Sequence, residues 1–306
     1  QMRLDYLQRA AATDEGIFQN FEQKVKFWIG DVRDFDSVSS VLREADVVFN
    51  AAALKQVPTC EYFPYEAVKT NIGGTENIVK AIEQHGFGVE TVVGVSTDKA
   101  CKPVNVMGMT KALQERVFIQ ANMRTSGTRF ICVRYGNVLA SRGSVIPLFH
   151  DQIRAGGPVT ITTADMTRFL LSLDQAIDTL FAAVRSAKPG ETFVPDAPSA
   201  LVIDIAAALI GDRHIDTSFI GIRPGEKLHE AMVSDEEAPR TRLVGDWYAI
   251  RPMLPELSDG ATGKPALSGE FSSEDRVLTA EQTRQLLIDH RLMLEDVNLA
   301  DGELIR

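Results

Sequence analysis

Thr97, Asp98 and Lys99 stand consecutively at the end of a short apolar, β-branched run, residues 91–96, that reads as a buried strand. A carboxyl and an amine side by side can divide proton transfer between them, the acid giving a proton where the amine takes one. Residues 97–105 then form a loop, and residues 106–124 are expected to be a helix with Met107 and Lys111 one turn apart on one face. In a doubly wound sheet, residues just past the carboxyl end of a strand border the ligand crevice. An acid and an amine there, with a second amine one turn into the next helix, make an acid–base cluster.

Such a cluster needs a parallel α/β frame, and the chain alternates accordingly. Strands are expected at 25–30, 46–53 and 129–135, and helices at 36–45 and 65–85. Beyond 135 the pattern loosens into Gly- and Pro-punctuated pieces at 143–147, 155–158, 188–190 and 223–226. Amphipathic helices lie among them at 172–186 and 201–210, and a last one at 279–290. Residues 255–274, rich in Ser, Gly and Pro, read as a loop of a length that often covers a site. Residues 1–12 read as the middle of a helix, with Leu4 and Leu7 on one face. No Gly-x-Gly-x-x-Gly turn occurs, and Gly73-Gly74 falls inside a helical segment. The expected fold class is therefore α/β: a Rossmann-like doubly wound parallel sheet over residues 1–140, lacking its first strand and Gly-rich loop. Residues 141–306 would be mostly a smaller α/β substrate-binding domain, interleaved with the last sheet elements, plus a C-terminal tail.

Composition narrows the function. A formal charge of −10 argues against general affinity for nucleic acid or anionic membrane, so bound phosphates must be held by a few local basic groups. Cys60, Cys101 and Cys132 are odd in number and lack metal-ligand spacing, which suggests a reducing, cytoplasmic setting; with five scattered His, no metal site is expected. No run of about 18 apolar residues is present to span a membrane.

Several blocks of the sequence, in order, resemble one family: Asn50-Ala-Ala-Ala-Leu-Lys55-Gln-Val-Pro58, Lys69-Thr-Asn71-Ile, Ser96-Thr-Asp-Lys99, Arg134-Tyr-Gly-Asn137-Val, Gly143-Ser-Val-Ile-Pro147, Met166-Thr-Arg168-Phe and Gly221-Ile-Arg223-Pro-Gly-Glu226-Lys-Leu-His-Glu230. The chain resembles the extended short-chain dehydrogenase/reductases, in the polysaccharide-biosynthesis branch of inverting UDP-N-acetylglucosamine 4,6-dehydratases. It departs from that pattern in lacking the Gly-rich first turn and in having Met107 where the family's Tyr-x-x-x-Lys has tyrosine. A capsule-type subset has Met there. The Tyr65-Glu-Ala-Val-Lys69 sequence precedes the strand at 91–96 and so stands in the wrong place for the catalytic pair.

The resemblance implies a reaction and a set of roles. Hydride leaves sugar C4 for the nicotinamide, water is eliminated across C5 and C6, hydride returns to C6, and C5 is inverted. Lys99 is the base at C5, which requires it to be neutral, with burial and Lys111 or the oxidised nicotinamide lowering its pKa. Asp98 is the acid at O6, Thr97 bonds O4, and Lys111 binds the nicotinamide ribose. With Met107 in place of the phenol, the base at O4 is left open among Lys99, Asp98 and a relayed water. The cofactor is NADP (or NAD), with Asp31 and Val32 at the adenine and the small Ala51, Ala52 and Ala53 along the dinucleotide. Asn71 is structural or cofactor-orienting. Lys55, Asn137, Arg168, Arg223 and Glu226 resemble ligands of the UDP-sugar, and Val145 and Ile146 offer backbone groups to the uracil. Relatives form homo-oligomers, so a homo-oligomer is expected. Two other functions fit the frame: a UDP-sugar 4-epimerase, which has no use for an acid–amine pair beside C5 and C6, and a catalytically silent nucleotide-sugar-binding protein.

Overall fold

The computed structural model describes residues 26–141, 143–258 and 264–296. The expected helix at 1–12 lies outside them. Strands β1 (Val47–Asn50), β2 (Thr91–Thr97), β3 (Arg129–Tyr135) and β7 (Thr192–Pro195) pair in parallel in that order. The sheet is completed by β12 (Trp247–Ile250), antiparallel to β7, and β11 (Thr241–Val244), antiparallel to β12. This is an α/β fold on a mostly parallel, Rossmann-like sheet.

Alternation along the central strands sorts side chains to two faces. Val92, Phe130 and Cys132 pack under helices α1 (Phe35–Leu42), α4 (Gly74–His85) and α5 (Val106–Ala121), against Val38, Ile78, Ile82 and Phe118. Val93, Ile131 and Val133 face the other way, onto Ala182 and Ala183 of α7 (Leu173–Ser186). Burial on both faces explains why these strands read as continuous apolar runs. Local signals set the helix starts: Asn105 caps α5 by accepting from the Gly108 N–H at 2.8 Å, and Ser172 with Gln175 closes a capping box on α7.

The remaining elements form smaller units. Strand β4 (Asn137–Val138) pairs in parallel with β6 (Thr167–Leu171), which pairs antiparallel with β8 (Ser199–Leu201). Strand β5 (Val159–Ile161) pairs with β9 (Thr217–Phe219), and β10 (Ala231–Val233) with β13 (Phe271–Ser272). Phe149 and Ile153 of α6 (Val145–Arg154), Ile205 and Leu209 of α8 (Val202–Ile210), and Leu287 of α9 (Ala280–Asp289) share a core with β5.

Three expectations are corrected. Residues 26–30 form no strand and are exposed; among the described residues β1 pairs only with β2, which leaves that run without a ladder partner. The expected 65–85 helix is broken into α3 (Pro64–Ala67), a π-helical turn (Val68–Gly73) and α4, just after the short α2 (Val57–Tyr62). Gly74 begins α4 because a Cβ there would come within 2.7 Å of the Val32 methyls, so glycine lets the helix approach that segment. The stretch 255–274, expected to be loop, contains a 3₁₀ turn (Pro255–Leu257) and β13, while residues 259–263 lie outside the description.

Candidate active site

At its exit, β2 delivers Thr97, and a 3₁₀ turn (Asp98–Ala100) follows at once. Asp98 is fully buried. Its Oδ1 accepts from Thr97 Oγ1 at 2.9 Å and from Lys99 Nζ at 3.1 Å. Lys99 Nζ also lies 3.2 Å from Oε1 of Glu230, a residue just ahead of β10. The other oxygens of the two carboxylates, Asp98 Oδ2 and Glu230 Oε2, are buried without a hydrogen-bond partner. Buried polar atoms are rarely left so. They mark a place where a proton or ligand completes the bonding.

The charge state of Lys99 is not the one expected. Burial works against its ammonium, but the Asp98 and Glu230 carboxylates outweigh burial and hold its pKa above the ordinary lysine range. The cation that weighs most against the Lys99 ammonium is Arg168. The Lys111 amine turns toward the sheet, donating to the Val95 carbonyl and to Gln114 Oε1 at 2.6 Å. Burial alone drives Lys111 down to about 8, against the opposing pull of Glu115. The neutralisable amine of the free protein is therefore Lys111, and Lys99 is an ammonium between two acids.

Met107 stands where the resemblance places a tyrosine. It is 4% exposed and packs with Cys60 and Ala67, beside Leu54, Val57 and Val106. A thioether there fills space and has no proton to exchange. Next to it, a Cβ on Gly108 would run into the Lys99 carbonyl oxygen. Gly108→Ala should therefore displace the loop that carries Lys99. Since misplacement of about 1 Å can cost on the order of 10²-fold, kcat is expected to fall while KM changes little; steady-state kinetics check this.

On the dinucleotide side, Ala51 and Ala52 are exposed and Ala53 half-buried just past β1. Asn71, fully buried on the π-helical turn, accepts from the Leu54 N–H at 2.8 Å and donates to the Leu54 carbonyl and to Thr110 Oγ1. It ties this loop to α5. Two of the three Lys111 N–H donors are engaged, which leaves one for a ribose hydroxyl at the end of β2. The small residues and this donor fit an extended dinucleotide across the carboxyl ends of β1 and β2. Asp31, however, is gripped by Arg33, whose Nε and Nη2 bond both of its oxygens; side-chain hydrogen bonding to Arg33 holds its carboxyl down at about 2. An adenine amine must share that carboxylate with Arg33, and Val32 beside it is half-buried under Gly74. Asp31, Arg33, Leu54, Thr59, Phe63, Glu66 and Thr70 line a cavity of about 430 Å³.

On the sugar side, Asn137 Oδ1 is buried without a partner. The backbone of Val145 and Ile146 forms the first turn of α6, where N–H groups lack helical acceptors, while the Ile146 side chain is core. Arg223 is exposed on a turn closed by the Glu226 N–H to its carbonyl, and Glu226 Oε2 faces the Arg223 N–H at 3.4 Å. The Gly225 carbonyl of that turn accepts from Asn105 Nδ2 at 2.8 Å, bringing Arg223 and Glu226 to the start of α5. Lys55 is exposed on the loop after β1. Arg168, expected to meet the UDP-sugar, is engaged with backbone here: Nη1 donates to the Thr167 and Leu228 carbonyls and Nη2 to that of Lys227. It is a strap on the segment leading to Glu230.

Sequence reasoning missed Glu230, which closed a quoted block but carried no role. Burial, and then the Asp98 carboxylate, push its carboxyl above the ordinary glutamate range, against the pull of Lys99, Arg168 and Lys227. It also missed a buried ionic group below the site: Arg134 on β3 bonds both Glu115 on α5 and Glu237, with Ser96 donating to Glu115 Oε1 at 2.5 Å. Charged residues on a helix or after a strand read as surface until the packing is known.

Comparison with known proteins follows this geometry. A family model described as "Polysaccharide biosynthesis protein" matches residues 4–252. A UDP-glucose 4-epimerase of Rickettsia canadensis is 42% identical over 288 residues, covering 90% of this chain and 84% of the relative. The X-ray structure of Pen from Bacillus thuringiensis superposes with a TM-score of 0.81 at 35% identity, covering 90% of this chain and 85% of that one. DesIV from Streptomyces venezuelae, a dTDP-glucose 4,6-dehydratase solved with NAD and TYD bound, shares the fold. Its TM-score is 0.61 at 20% identity, over 70% of this chain and 73% of that one.

Proposed function

Because the chain belongs to the polysaccharide biosynthesis protein family, within the extended short-chain dehydrogenase/reductases, we propose that it is a 4,6-dehydratase acting on UDP-N-acetylglucosamine with NADP or NAD. The carrying observation is the buried Asp98 carboxyl, with one oxygen unpartnered, 3.1 Å from the Lys99 amine at the exit of β2. The bound dinucleotide supplies the hydride acceptor for C4 and the donor for C6.

This chain's own residues then divide the proton chemistry. Thr97 holds the sugar at O4. Lys99, once neutral, takes the C5 proton, and the C5–H electron pair becomes the C5=C6 bond. The C6–O6 bond breaks with its pair on oxygen, which takes from Asp98 the proton that this carboxylate gained, directly or through a relayed water, when O4 lost its own on oxidation of C4, and leaves as water. Lys111 holds the nicotinamide ribose, Asn71 fixes the loop on which Ala51, Ala52 and Ala53 pass the dinucleotide, and Asp31 and Val32 meet the adenine. Asn137, Arg223, Glu226, Lys55 and the first turn of α6 at Val145 and Ile146 receive the UDP-sugar. The smaller units after residue 140 act as the substrate-binding part.

A second reading is a UDP-sugar 4-epimerase, favoured by the name of the Rickettsia relative and by the ammonium state of Lys99, which offers no base at C5. Incubation with UDP-N-acetylglucosamine in deuterated water separates the two. The dehydratase yields a 4-keto-6-deoxy product bearing deuterium at C5. Recovery of UDP-N-acetylgalactosamine alone would replace it with the epimerase, and unchanged substrate with a silent binding protein.

A further inference from the structure

The described part of the chain holds one more group aimed at the Asp98–Lys99 pair. Glu230 arrives from far along the sequence, on a segment stitched to the catalytic loop at several points. Asn105 Nδ2 donates to the Gly225 carbonyl, Lys227 Nζ to the Cys101 carbonyl at 2.7 Å, and Lys102 Nζ reaches Asp235 at 2.9 Å. The Glu230 N–H is held by Ser273 Oγ at 3.0 Å. With its backbone anchored and its side chain 3% exposed, the carboxylate has little freedom except toward Lys99 Nζ.

We infer that Glu230 is a positioning residue that acts through Lys99: it fixes the amine beside Asp98 and accepts the ammonium's proton, so that Lys99 meets the substrate as a neutral base. In this transfer the Lys99 N–H bond breaks, its electron pair stays on nitrogen, and an O–H bond forms on Glu230. The pair keeps the same total number of protons. Lys99 can then take the C5 proton. This inference rests on the dehydratase reading for its catalytic part.

Three observations support it. The distance of 3.2 Å suits direct transfer. Oε2 of Glu230 is buried without a hydrogen-bond partner, a state that protonation or a ligand relieves. The charges facing Glu230 are Asp98 and Lys99 on the catalytic loop, Arg168 on β6 and Lys227 on its own segment. The Asp98 carboxylate and burial favour protonated Glu230, while the cations oppose it. Burial also penalises the Lys99 ammonium, and each carboxylate that is neutralised weakens what holds it charged.

The consequence is a distinctive pH profile. With an internal acceptor, the neutral amine forms without releasing a proton to solvent, so the elimination rate is flat through neutral pH. Glu230→Gln keeps the shape and the contact but cannot accept the proton. Its rate is expected to lose the flat profile and to climb by about tenfold per pH unit until Lys99 deprotonates into solvent, with KM for the sugar nucleotide nearly unchanged. Glu230→Asp should restore the flat profile in part. A purely structural role would lower the rate equally at every pH, so a Gln profile parallel to the parent's overturns the inference.

A second readout needs no turnover. In NMR titration of the ligand-free protein, with Lys99 assigned through Lys99→Arg, its ammonium should titrate lower in Glu230→Gln by about 1–3 pH units. An unmoved titration overturns the coupling. If the parent yields no C5-labelled product, the dehydratase reading fails, while this titration still decides whether Glu230 governs Lys99.

Discussion

In the dehydratase proposed above, Lys99→Arg is expected to fold like the parent, bind UDP-N-acetylglucosamine within a few-fold, and lose about 10²–10⁴-fold in elimination. Arginine keeps a cation between Asp98 and Glu230 and so preserves the two contacts at 3.1 and 3.2 Å that neutralise those buried acids. It cannot become a neutral base, because its pKa stays above about 12. Lys99→Met should lose elimination to the same degree, but it also strands two acids and should be less stable. Protonation of Glu230, already favoured by burial, softens that cost. Rapid-quench measurement of product together with calorimetric binding checks both variants. Turnover by Lys99→Arg within tenfold of the parent would remove Lys99 from the role of base. Reduction of the nicotinamide in a single turnover should survive in both if the O4 proton goes to Asp98 or a relayed water, and its loss in both would make Lys99 the base at O4 as well.

The second large effect concerns stability. Arg134→Met should destabilise the fold by about 3–5 kcal/mol, since removing one partner of a buried ionic group leaves the others uncompensated. The side chain is 3% exposed and bonds both Glu115 and Glu237, as well as the Met232 carbonyl. It thus joins β3, α5 and the segment after β10. Replacing all three ionic residues, with Glu115→Gln and Glu237→Gln added, should recover part of the loss. The pH dependence has a definite sign. Burial pushes the Glu237 carboxyl up, but Arg134 outweighs it and holds it down at about 2, below its ordinary value of 4.5. A group depressed in the folded state contributes stability above its unfolded pKa and loses it as pH falls from about 4.5 toward 2. Denaturant unfolding across that window should show the parent losing stability faster than Arg134→Met. A loss under about 1 kcal/mol in the variant at neutral pH would mean that the group does not hold these elements together.

Much of the frame was legible because its signals are local. The strand at 129–135 was read to the residue, since its centre, residues 130–133, is the apolar run of a buried parallel strand. The starts of α5 and α9 are marked by local caps, Asn105 on the first and a capping box of Thr279 and Gln282 on the second. Where the reading failed, the cause was a distant partner. Residues 26–30 look like a strand in composition, but a strand exists only with a neighbour, and none of the described strands pairs with them. The 65–85 helix looks continuous, yet Asn71 bonds out to Leu54 and Thr110 and the backbone there adopts a π turn.

The site divides along the same line. The amino-acid sequence alone determined that an acid and an amine stand together at a strand exit, because adjacency in the chain is adjacency in space over one or two residues. Only the tertiary structure decided what state they are in. It brings Glu230 against Lys99, turns Lys111 toward Val95, buries Met107 among Cys60 and Ala67, and places Arg168 on backbone carbonyls. Protonation and orientation are set by burial and by the charges within a few ångströms, and those neighbours are supplied by folding.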